Sequence, residues 1–254
     1  MTTICAMTDH IFLDAQYKQP AQHQHLAKHI IISLADDLTV TLDKERKGPC
    51  KGAMIDSNVP HTVTSKDERM LVFLIDETSG LAQNMNQQHL FGKPFAEIDE
   101  HVVEQIREAY KACLPDHFAL KYLQFSNAVF SWLNLNDENA IMTDYRVQKA
   151  IECILSAEGI DGAMIPRLCE AAHLSQSRFS HLFKEQTGVP LNSYLALSKL
   201  RKAYQALLAC GNITEAAMDA GFSTPSHFSA ASKKHLGIAA SEITGQCKLY
   251  VIKD

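Results

Sequence analysis

The sequence lacks any apolar run close to the roughly 20 residues that a membrane-spanning helix needs. Its first ten residues, MTTICAMTDH, have neither the basic flank nor the apolar segment of a signal peptide. The seven cysteines are scattered and never form a C-x-x-C pair, which argues against a disulfide framework and against a structural zinc finger. We therefore expect a cytoplasmic protein with reduced thiols and no membrane association.

A surplus of positive charge is also missing, because the formal net charge is -5. The charges are unevenly distributed, however. Residues 1–143 carry 12 Lys+Arg and 19 Asp+Glu, whereas residues 144–254 carry 12 and 10. This asymmetry predicts an acidic domain joined to a mildly basic one, and a chain of 254 residues is long enough for both.

Signatures of catalysis are absent too. The sequence contains no G-x-S-x-G, no Walker motif and no Cys–His signature. The motifs therefore do not predict an enzyme.

The first part of the chain predicts β structure from about His23 to Ile75. The runs HIIISL, LTVTL, AMIDS, HTVTS and MLVFLI are short and β-branched, and turn-forming residues separate them. Such strands predict a small barrel or sandwich. From Glu97 an apolar period of about four predicts an amphipathic helix that ends at Pro115, and a second helix is predicted over Phe118–Leu133.

The most informative feature is a pattern that occurs twice near the C-terminus. Residues 165–188 read IPRLCEAAHLSQSRFSHLFKEQTG, and residues 213–237 read ITEAAMDAGFSTPSHFSAASKKHLG. Each copy has an Ala-rich short helix, a tight turn, a second helix and a closing Gly. This pattern is typical of a helix-turn-helix, whose second helix enters the major groove of DNA. The alternative, two purely structural helical hairpins, is weakened by the repetition.

The second helix of each copy predicts a buried side and a polar side. In the first copy Phe179, Leu182 and Phe183 form the buried stripe, and Ser175 is the predicted N-cap. The polar residues of both copies can bond base edges or phosphates. The predicted DNA-binding residues are Gln176, Ser177, Arg178, Ser180, His181 and Lys184 in the first copy and Ser226, His227, Lys233 and Lys234 in the second.

Residues 145–243 resemble the DNA-binding domain of AraC/XylS-type transcriptional regulators. The resemblance lies in SRFSHLFKEQTGVPL (177–191), KLRKAYQALL (199–208) and AGFSTPSHFS (220–229). It implies that Ser177, Ser180 and His181 face bases, with Pro225, Ser226 and Ala230 in the matching positions of the second copy. It also implies double-stranded DNA and RNA polymerase as partners, transcription activation, a small-molecule effector and a homodimer.

Two departures from the family pattern concern the second copy. Ala230 stands where the family usually has Arg, and Ser232 stands where it usually has Phe. Ala230 reaches neither base nor phosphate, and Ser232 removes a core ring and is expected to leave a buried hydroxyl unsatisfied. We therefore predict that the first unit supplies the main base readout and that the second contributes mostly phosphate contacts.

Histidines are the notable residues of the N-terminal part. His23 and His25 form an H-x-H pair, and His61 opens a later strand. This arrangement resembles the cupin pattern, in which such residues bind a divalent metal; the usual acidic position falls at His29. Metal binding by His23, His25 and His61 is one prediction. Buried histidines bonded to backbone, an effector pocket without metal and a sealed dimerisation platform are the alternatives.

Together these features predict an α+β protein: a small cupin-like β-barrel plus two helices, then an all-α domain with two helix-turn-helix units joined by a long helix. The predicted divisions are a sensing barrel at 1–95, a helical dimerisation segment at 96–136, a linker at 137–144 and a tandem helix-turn-helix domain at 145–254. The predicted function is an effector-controlled, sequence-specific DNA-binding transcription regulator. The alternatives are a cupin-type metal-binding enzyme or metal sensor, and a degenerate regulator that acts through protein partners.

Overall fold

The structure is a computed structural model that describes residues 2–7, 9–16, 22–24, 27–66, 68–113, 118–135, 144–236, 240 and 247–251. The chain divides into two compact units. The first comprises Met1–Ala140 together with Gln246–Asp254, and the second comprises Ile141–Gly245.

The described residues of the first unit form two sheets. The strands are β1 (Thr2–Ala6), β2 (His10–Gln16), β3 (Lys28–Ser33), β4 (Leu38–Leu42), β5 (Glu45–Cys50), β6 (Gly52–Ile55), β7 (His61–Ser65), β8 (Arg69–Ile75), β9 (Phe95–Glu97) and β10 (Cys247–Val251). Seven of them form one sheet in the order β10-β1-β2-β8-β3-β6-β9, and β5-β4-β7 form the other. Neighbouring strands are antiparallel except β1 and β10, which pair in parallel.

The burial pattern explains why these segments are strands. In β4 the apolar Leu38, Val40 and Leu42 are buried and the intervening threonines are half-buried, as the two-residue period of a strand requires. β3 is buried at every position, so the side chains on both of its faces are covered. Apolar runs such as Ile30–Ile32 suit such a doubly covered strand.

The predicted β-rich region is present, and its closure into a barrel stays a prediction. In the described part of the chain the strands form two separate sheets, with no ladder that joins them into a barrel. The β region predicted from the sequence begins at His23, whereas the structure also has strands β1 and β2 before it. The buried Asp14 interrupts the apolar pattern of β2, which hid that strand.

Three helices lie in the described part of the first unit: α1 (Gly80–Met85), which continues as a π-helical turn over Asn86–Leu90, α2 (Glu100–Cys113) and α3 (Phe118–Trp132). The two longer helices, α2 and α3, begin and end within three residues of the bounds predicted from the sequence. Val103, Ile106 and Tyr110 of α2 join the core formed with Phe12 and Phe73 of the large sheet.

Two buried polar contacts join these helices to β2. The carboxylate of Asp14 accepts hydrogen bonds from the hydroxyl of Tyr110 and from the guanidinium of Arg69. The ring Nε2 of His10 lies 2.6 Å from the hydroxyl of Tyr122 in α3. Because buried polar groups are costly unless paired, these contacts select one register between strand and helices.

The described part of the second unit is helical. Its helices are α4 (Tyr145–Ser156), α5 (Met164–Ala171), α6 (Gln176–Thr187), α7 (Leu191–Cys210), α8 (Ile213–Asp219) and α9 (Pro225–Leu236). The predicted all-helical organisation is confirmed, including the long helix that begins after Pro190. Gly188 and Gly211 adopt the left-handed conformation that ends α6 and α7.

The C-terminal bound of the second domain, predicted as 145–254, differs in the structure, where the second unit ends at Gly245. Residues 247–251 form β10 and pair with β1 in the large sheet, so they belong to the first unit. Among the described helices, none combines the length and the apolar character needed to cross a bilayer.

Candidate nucleic-acid interface

The two hairpins, α5–α6 and α8–α9, have the same hydrogen bonds at their turns. In the first, the N–H of Leu174 donates to the carbonyl of Cys169 at 3.0 Å. In the second, the N–H of Phe222 donates to the carbonyl of Ala217 at 2.8 Å. The sequence repeat is therefore a repeat of backbone geometry.

The second helix of each hairpin begins with the same kind of cap. Ser175 is the N-cap of α6, and its hydroxyl accepts from the N–H of Arg178 at 3.4 Å, which confirms the predicted cap. The hydroxyl of Thr224 accepts from the N–H of His227 at 3.0 Å. These caps satisfy N–H groups that have no partner within the helix.

The buried sides of α6 and α9 follow the predicted stripe but differ at its end. Phe179 and Phe183 are fully buried in the first hairpin, and the rings of Phe183 and Tyr194 lie 5.4 Å apart. In the second hairpin Phe228 is buried in the same way, while Ser232 takes the place of the second ring.

The expectation that Ser232 leaves an unsatisfied hydroxyl is wrong. Its hydroxyl is buried and bonds to the hydroxyl of Tyr204, a residue of α7. Tyr204 also packs edge-on against Phe228, with ring centroids 5.2 Å apart. A polar pair has thus replaced an aromatic contact, and the second hairpin keeps a filled core.

The other side of α6 presents the predicted DNA-binding residues to solvent. Gln176, Ser177, Arg178, His181 and Lys184 are exposed, and Ser180 is half-buried. Ser180, His181 and Lys184 also share a cleft of about 260 Å³ with the start of α7. These side chains supply donors and acceptors for base edges and phosphates.

On α9 the predicted residues Ser226, His227, Lys233 and Lys234 are exposed as well. His227 is the most constrained of them, because its Nδ1 lies 3.2 Å from the hydroxyl of Ser223 and its ring packs edge-on against Phe222. Ala230 is exposed between them and offers no polar group.

Ion pairing separates the basic residues of the second unit into two groups. Arg146, Lys149 and Arg167 each contact a neighbouring carboxylate. Within the described residues, the four predicted DNA-binding cations make no ion pair; they are Arg178, Lys184, Lys233 and Lys234. Cations without a protein partner are those most available to phosphates.

Two lysines of the second unit donate hydrogen bonds to backbone carbonyls inside the unit. Lys202 donates to the carbonyls of Leu155 and Ala157, which end α4, and Lys199 donates to the carbonyl of Gly221 at 2.7 Å. Burial lowers the pKa of both lysines. These hydrogen bonds stabilise the fold, and the exposed cations predicted to bind DNA lie on α6 and α9.

A backbone contact that the sequence analysis missed joins the two hairpins. The N–H of Ile160, which precedes α5, donates to the carbonyl of Ala220 in the second turn at 3.1 Å. A Cβ added to Gly159 would lie 2.4 Å from the carbonyl oxygen of Asp219, so the chains meet where glycine is required. Helix α7 is therefore not the only connection between the hairpins.

The residues at the two turns differ in whether glycine is required. The turn residue of the first hairpin, His173, has φ 52°, and its equivalent in the second, Gly221, has φ 92°. Glycine is needed in the second turn because a Cβ on Gly221 would also meet the carbonyl of Ile160. The motif AGF was the only sequence signal for this contact.

The predicted metal residues lie in the first unit. His23 and His61 form an antiparallel bridge, with N–H to carbonyl distances of 3.0 and 2.9 Å, and their rings are 4.5 Å apart. The ring of His29 is also 4.5 Å from that of His61. His25, however, lies outside the described residues.

These imidazoles are not arranged as a metal site by themselves. The Nδ1 of His61 lies 2.8 Å from the carbonyl of Val59, which engages one of its two ring nitrogens. Within the described part of the chain no group of three His, Cys, Asp or Glu side chains is placed to bind a metal ion. Metal binding with His25 therefore stays a prediction.

Comparison with known proteins supports this description of the second unit. Residues 168–246 match the family model for a helix-turn-helix domain. No curated protein sequence matches the chain.

Solved structures with a similar fold cover both units. An apo variant of ToxT from Vibrio cholerae strain SCE256 is 13% identical, with a TM-score of 0.56 over 93% of this chain and 97% of that chain. ToxT from Vibrio cholerae O395 is 13% identical, with a TM-score of 0.54 over 93% and 95%. Wild-type ToxT bound to an unsaturated fatty acid is 12% identical, with a TM-score of 0.54 over 95% and 98%.

The match of residues 168–246 and the exposed polar faces of α6 and α9 identify the second unit as a DNA-binding helix-turn-helix domain of the kind found in transcription regulators. Its helix-turn-helix unit is of the AraC type, which confirms the resemblance found in the sequence, and a separate β-rich unit precedes it.

Proposed function

We propose that the protein is a cytoplasmic, effector-controlled regulator that recognises its operator mainly through α6. The observation that carries this proposal is the pair of hairpins with equal turn geometry, each of which exposes a polar helix. Two recognition helices connected by backbone contact and by α7 suit two successive major-groove segments of one duplex.

The two helices have different roles in this proposal. α6 exposes Arg178 and His181, which can donate to guanine or to other base acceptors. α9 exposes serines, Ala230 and two lysines near its end, a set that suits phosphates better than base edges. We therefore assign base readout to α6 and mainly backbone contact to α9.

Control by a small molecule is the second part of the proposal. ToxT, which has a similar fold, has been solved with an unsaturated fatty acid bound and with (E)-4-(8-methylnaphthalen-1-yl)but-3-enoic acid bound. Both compounds are carboxylic acids with a large apolar body. An effector regulates only if its affinity differs between the DNA-bound and the free states.

Homodimerisation and contact with RNA polymerase complete the proposal. The exposed side of α2 and α3, which includes the partly exposed Leu123, is the surface that the sequence resemblance assigns to a dimer. Light scattering of the purified chain at several concentrations tests this part. A monomer at all concentrations would contradict it.

The test of DNA recognition starts from the full chain, because the operator is unknown. Duplexes with a randomised central region are bound, recovered and amplified over several rounds, and an enriched motif is expected. Binding of the enriched duplex by His181→Ala should weaken and lose base preference, whereas the control Lys149→Gln on α4 should bind as the wild type does. Failure to enrich any motif would contradict sequence-specific recognition.

A further inference from the structure

A cleft opens within the DNA-binding unit, between the start of α5, the N-terminal half of α7 and α9. Its volume is about 530 Å³, which lies within the range of small-molecule sites in proteins. All of its lining residues are described and belong to one unit.

The walls of the cleft are mainly apolar. Ile165, Leu195 and Phe222 supply the larger surfaces. Ala230 and Ala231 of α9 present only methyl groups, so the volume between α9 and α7 is left open. Water in such a cleft finds few partners, and an apolar ligand body would displace it favourably.

The polar side chains that line the cleft are Asp161, Asn192, Lys199, His227 and Lys234, and the two lysines are the cations among them. Lys199 donates one hydrogen bond to the carbonyl of Gly221 and lies 5.2 Å from the ring centre of Phe222. Since an ammonium has three donors, Lys199 has capacity for a further acceptor. Lys234 lines the other side. Asp161 also lines the cleft, and its carboxylate contacts the guanidinium of Arg167 at 3.0 Å.

We propose that this cleft binds an amphipathic anion, that is, an alkyl or aryl body with one carboxylate or similar acidic group. The apolar walls receive the body, and Lys199 and Lys234 receive the charge. A neutral ligand of the same size would cover the ammonium groups without pairing them, which is unfavourable. Charge complementarity therefore selects an acid.

The position of the cleft also gives its occupant a regulatory effect, a step that rests on the proposed DNA-binding function. His227 and Lys234 line the cleft and are also among the residues assigned to DNA. An anion held at Lys234 neutralises a charge that would otherwise meet a phosphate. Ligand and DNA therefore compete for α9, and the acid weakens operator binding.

Anilinonaphthalene sulfonate, an amphipathic anion whose fluorescence rises in apolar sites, is the probe for the first test. The full chain is titrated without DNA. Saturable binding with one site is expected. Ala196→Trp, which fills the cleft from α7, should abolish it, and Lys234→Gln should weaken it by about threefold to fivefold, the range of one partly exposed ion pair.

Two matched controls lie outside the cleft. Ala209→Trp adds the same ring at an exposed position of α7, and Lys149→Gln removes an exposed lysine of α4. Both should bind the probe as the wild type does. Thermal unfolding of all four variants identifies any that lose the fold. If folded Ala196→Trp binds the probe like Ala209→Trp, or if the wild type does not bind it, the cleft proposal is wrong.

The competition arm separates this inference from the proposed function. The duplex enriched from the random library is added to the probe complex, and displacement of the probe is expected. A chain that binds the probe in the cleft but enriches no duplex would contradict the proposed function alone. A chain that binds its duplex and the probe at the same time would contradict the competition.

Discussion

Gly221 lies against Ile160 so closely that a Cβ atom on Gly221 would stand 2.3 Å from the carbonyl oxygen of Ile160. Gly221 also has φ 92°, a conformation that favours glycine. The contact joins the second turn to the segment before α5. It therefore makes one glycine responsible for both the turn and the connection of the two hairpins.

Gly221→Ala is expected to lower the free energy of unfolding by about 2–4 kcal/mol, because strain and a backbone clash act together. Gly162→Ala is the control, since a Cβ there meets no atom within 4 Å. It should change stability by less than about 0.5 kcal/mol. Denaturant unfolding of both variants measures the difference, and equal stabilities would contradict the contact.

His181 on α6 and His227 on α9 allow the proposed roles of the two helices to be compared. His181→Ala should reduce discrimination between the enriched duplex and a mutated one by about 1–3 kcal/mol, because a base contact is lost. His227→Ala should reduce it less, since α9 is assigned to phosphates. Binding titrations on matched duplexes measure both. Equal losses of discrimination would contradict the assignment.

The salt dependence of binding tests the cations of α6. Each phosphate contact contributes about one unit to the slope of log K against log salt concentration. Lys184→Gln should therefore reduce the slope by about 1 and weaken binding on all sequences alike. Lys149→Gln removes a lysine that is paired with Glu152 and should leave the slope unchanged.

A double-mutant cycle can measure the coupling between the hydroxyl groups of Tyr204 and Ser232. Ser232→Ala should destabilise the protein by about 1–3 kcal/mol, because the buried hydroxyl of Tyr204 loses this acceptor or donor. Tyr204→Phe combined with Ser232→Ala should cost less than the two single changes added together. Strict additivity in urea unfolding would show that the two hydroxyls are not coupled.

Burial lowers the pKa of His61 from an ordinary value of 6.5 to about 4, with His23 contributing in the same direction and the bond to Val59 opposing. The unfolded chain then binds a proton at His61 that the folded chain excludes. The free energy of unfolding should therefore fall by roughly 2–3 kcal/mol as the pH drops from 6.5 towards 4.

His61→Gln should flatten this decline, whereas His101→Gln, at an exposed position of α2, should not. Denaturant unfolding at a series of pH values measures both slopes. Identical slopes for the wild type and the His61 variant would contradict the buried neutral state of His61.

The sequence predicted the second unit well because its signals are local. Apolar spacing, the cap at Ser175 and the terminating Gly211 lie within the elements that they define. The first unit was predicted less completely. The partners of β1 and β10 are separated by nearly the whole chain, and no local pattern predicts such a pairing.

The candidate site divides in the same way. The exposed residues of α6 and α9 follow from helical periodicity, and the structure presents them as predicted. The contact of Ile160 with Ala220 and the cleft beside Lys199 depend on tertiary packing between distant segments. Ser232 illustrates the limit, because its partner Tyr204 belongs to another helix.

The parallel pairing of β1 with β10 makes the second unit an insertion within the first. During synthesis the outer edge of β1 lacks its partner strand until residues 247–251 emerge from the ribosome. An uncovered strand edge invites pairing with other chains. Shortened chains that stop before residue 247 would therefore retain the whole helical unit yet carry a sheet edge prone to aggregation.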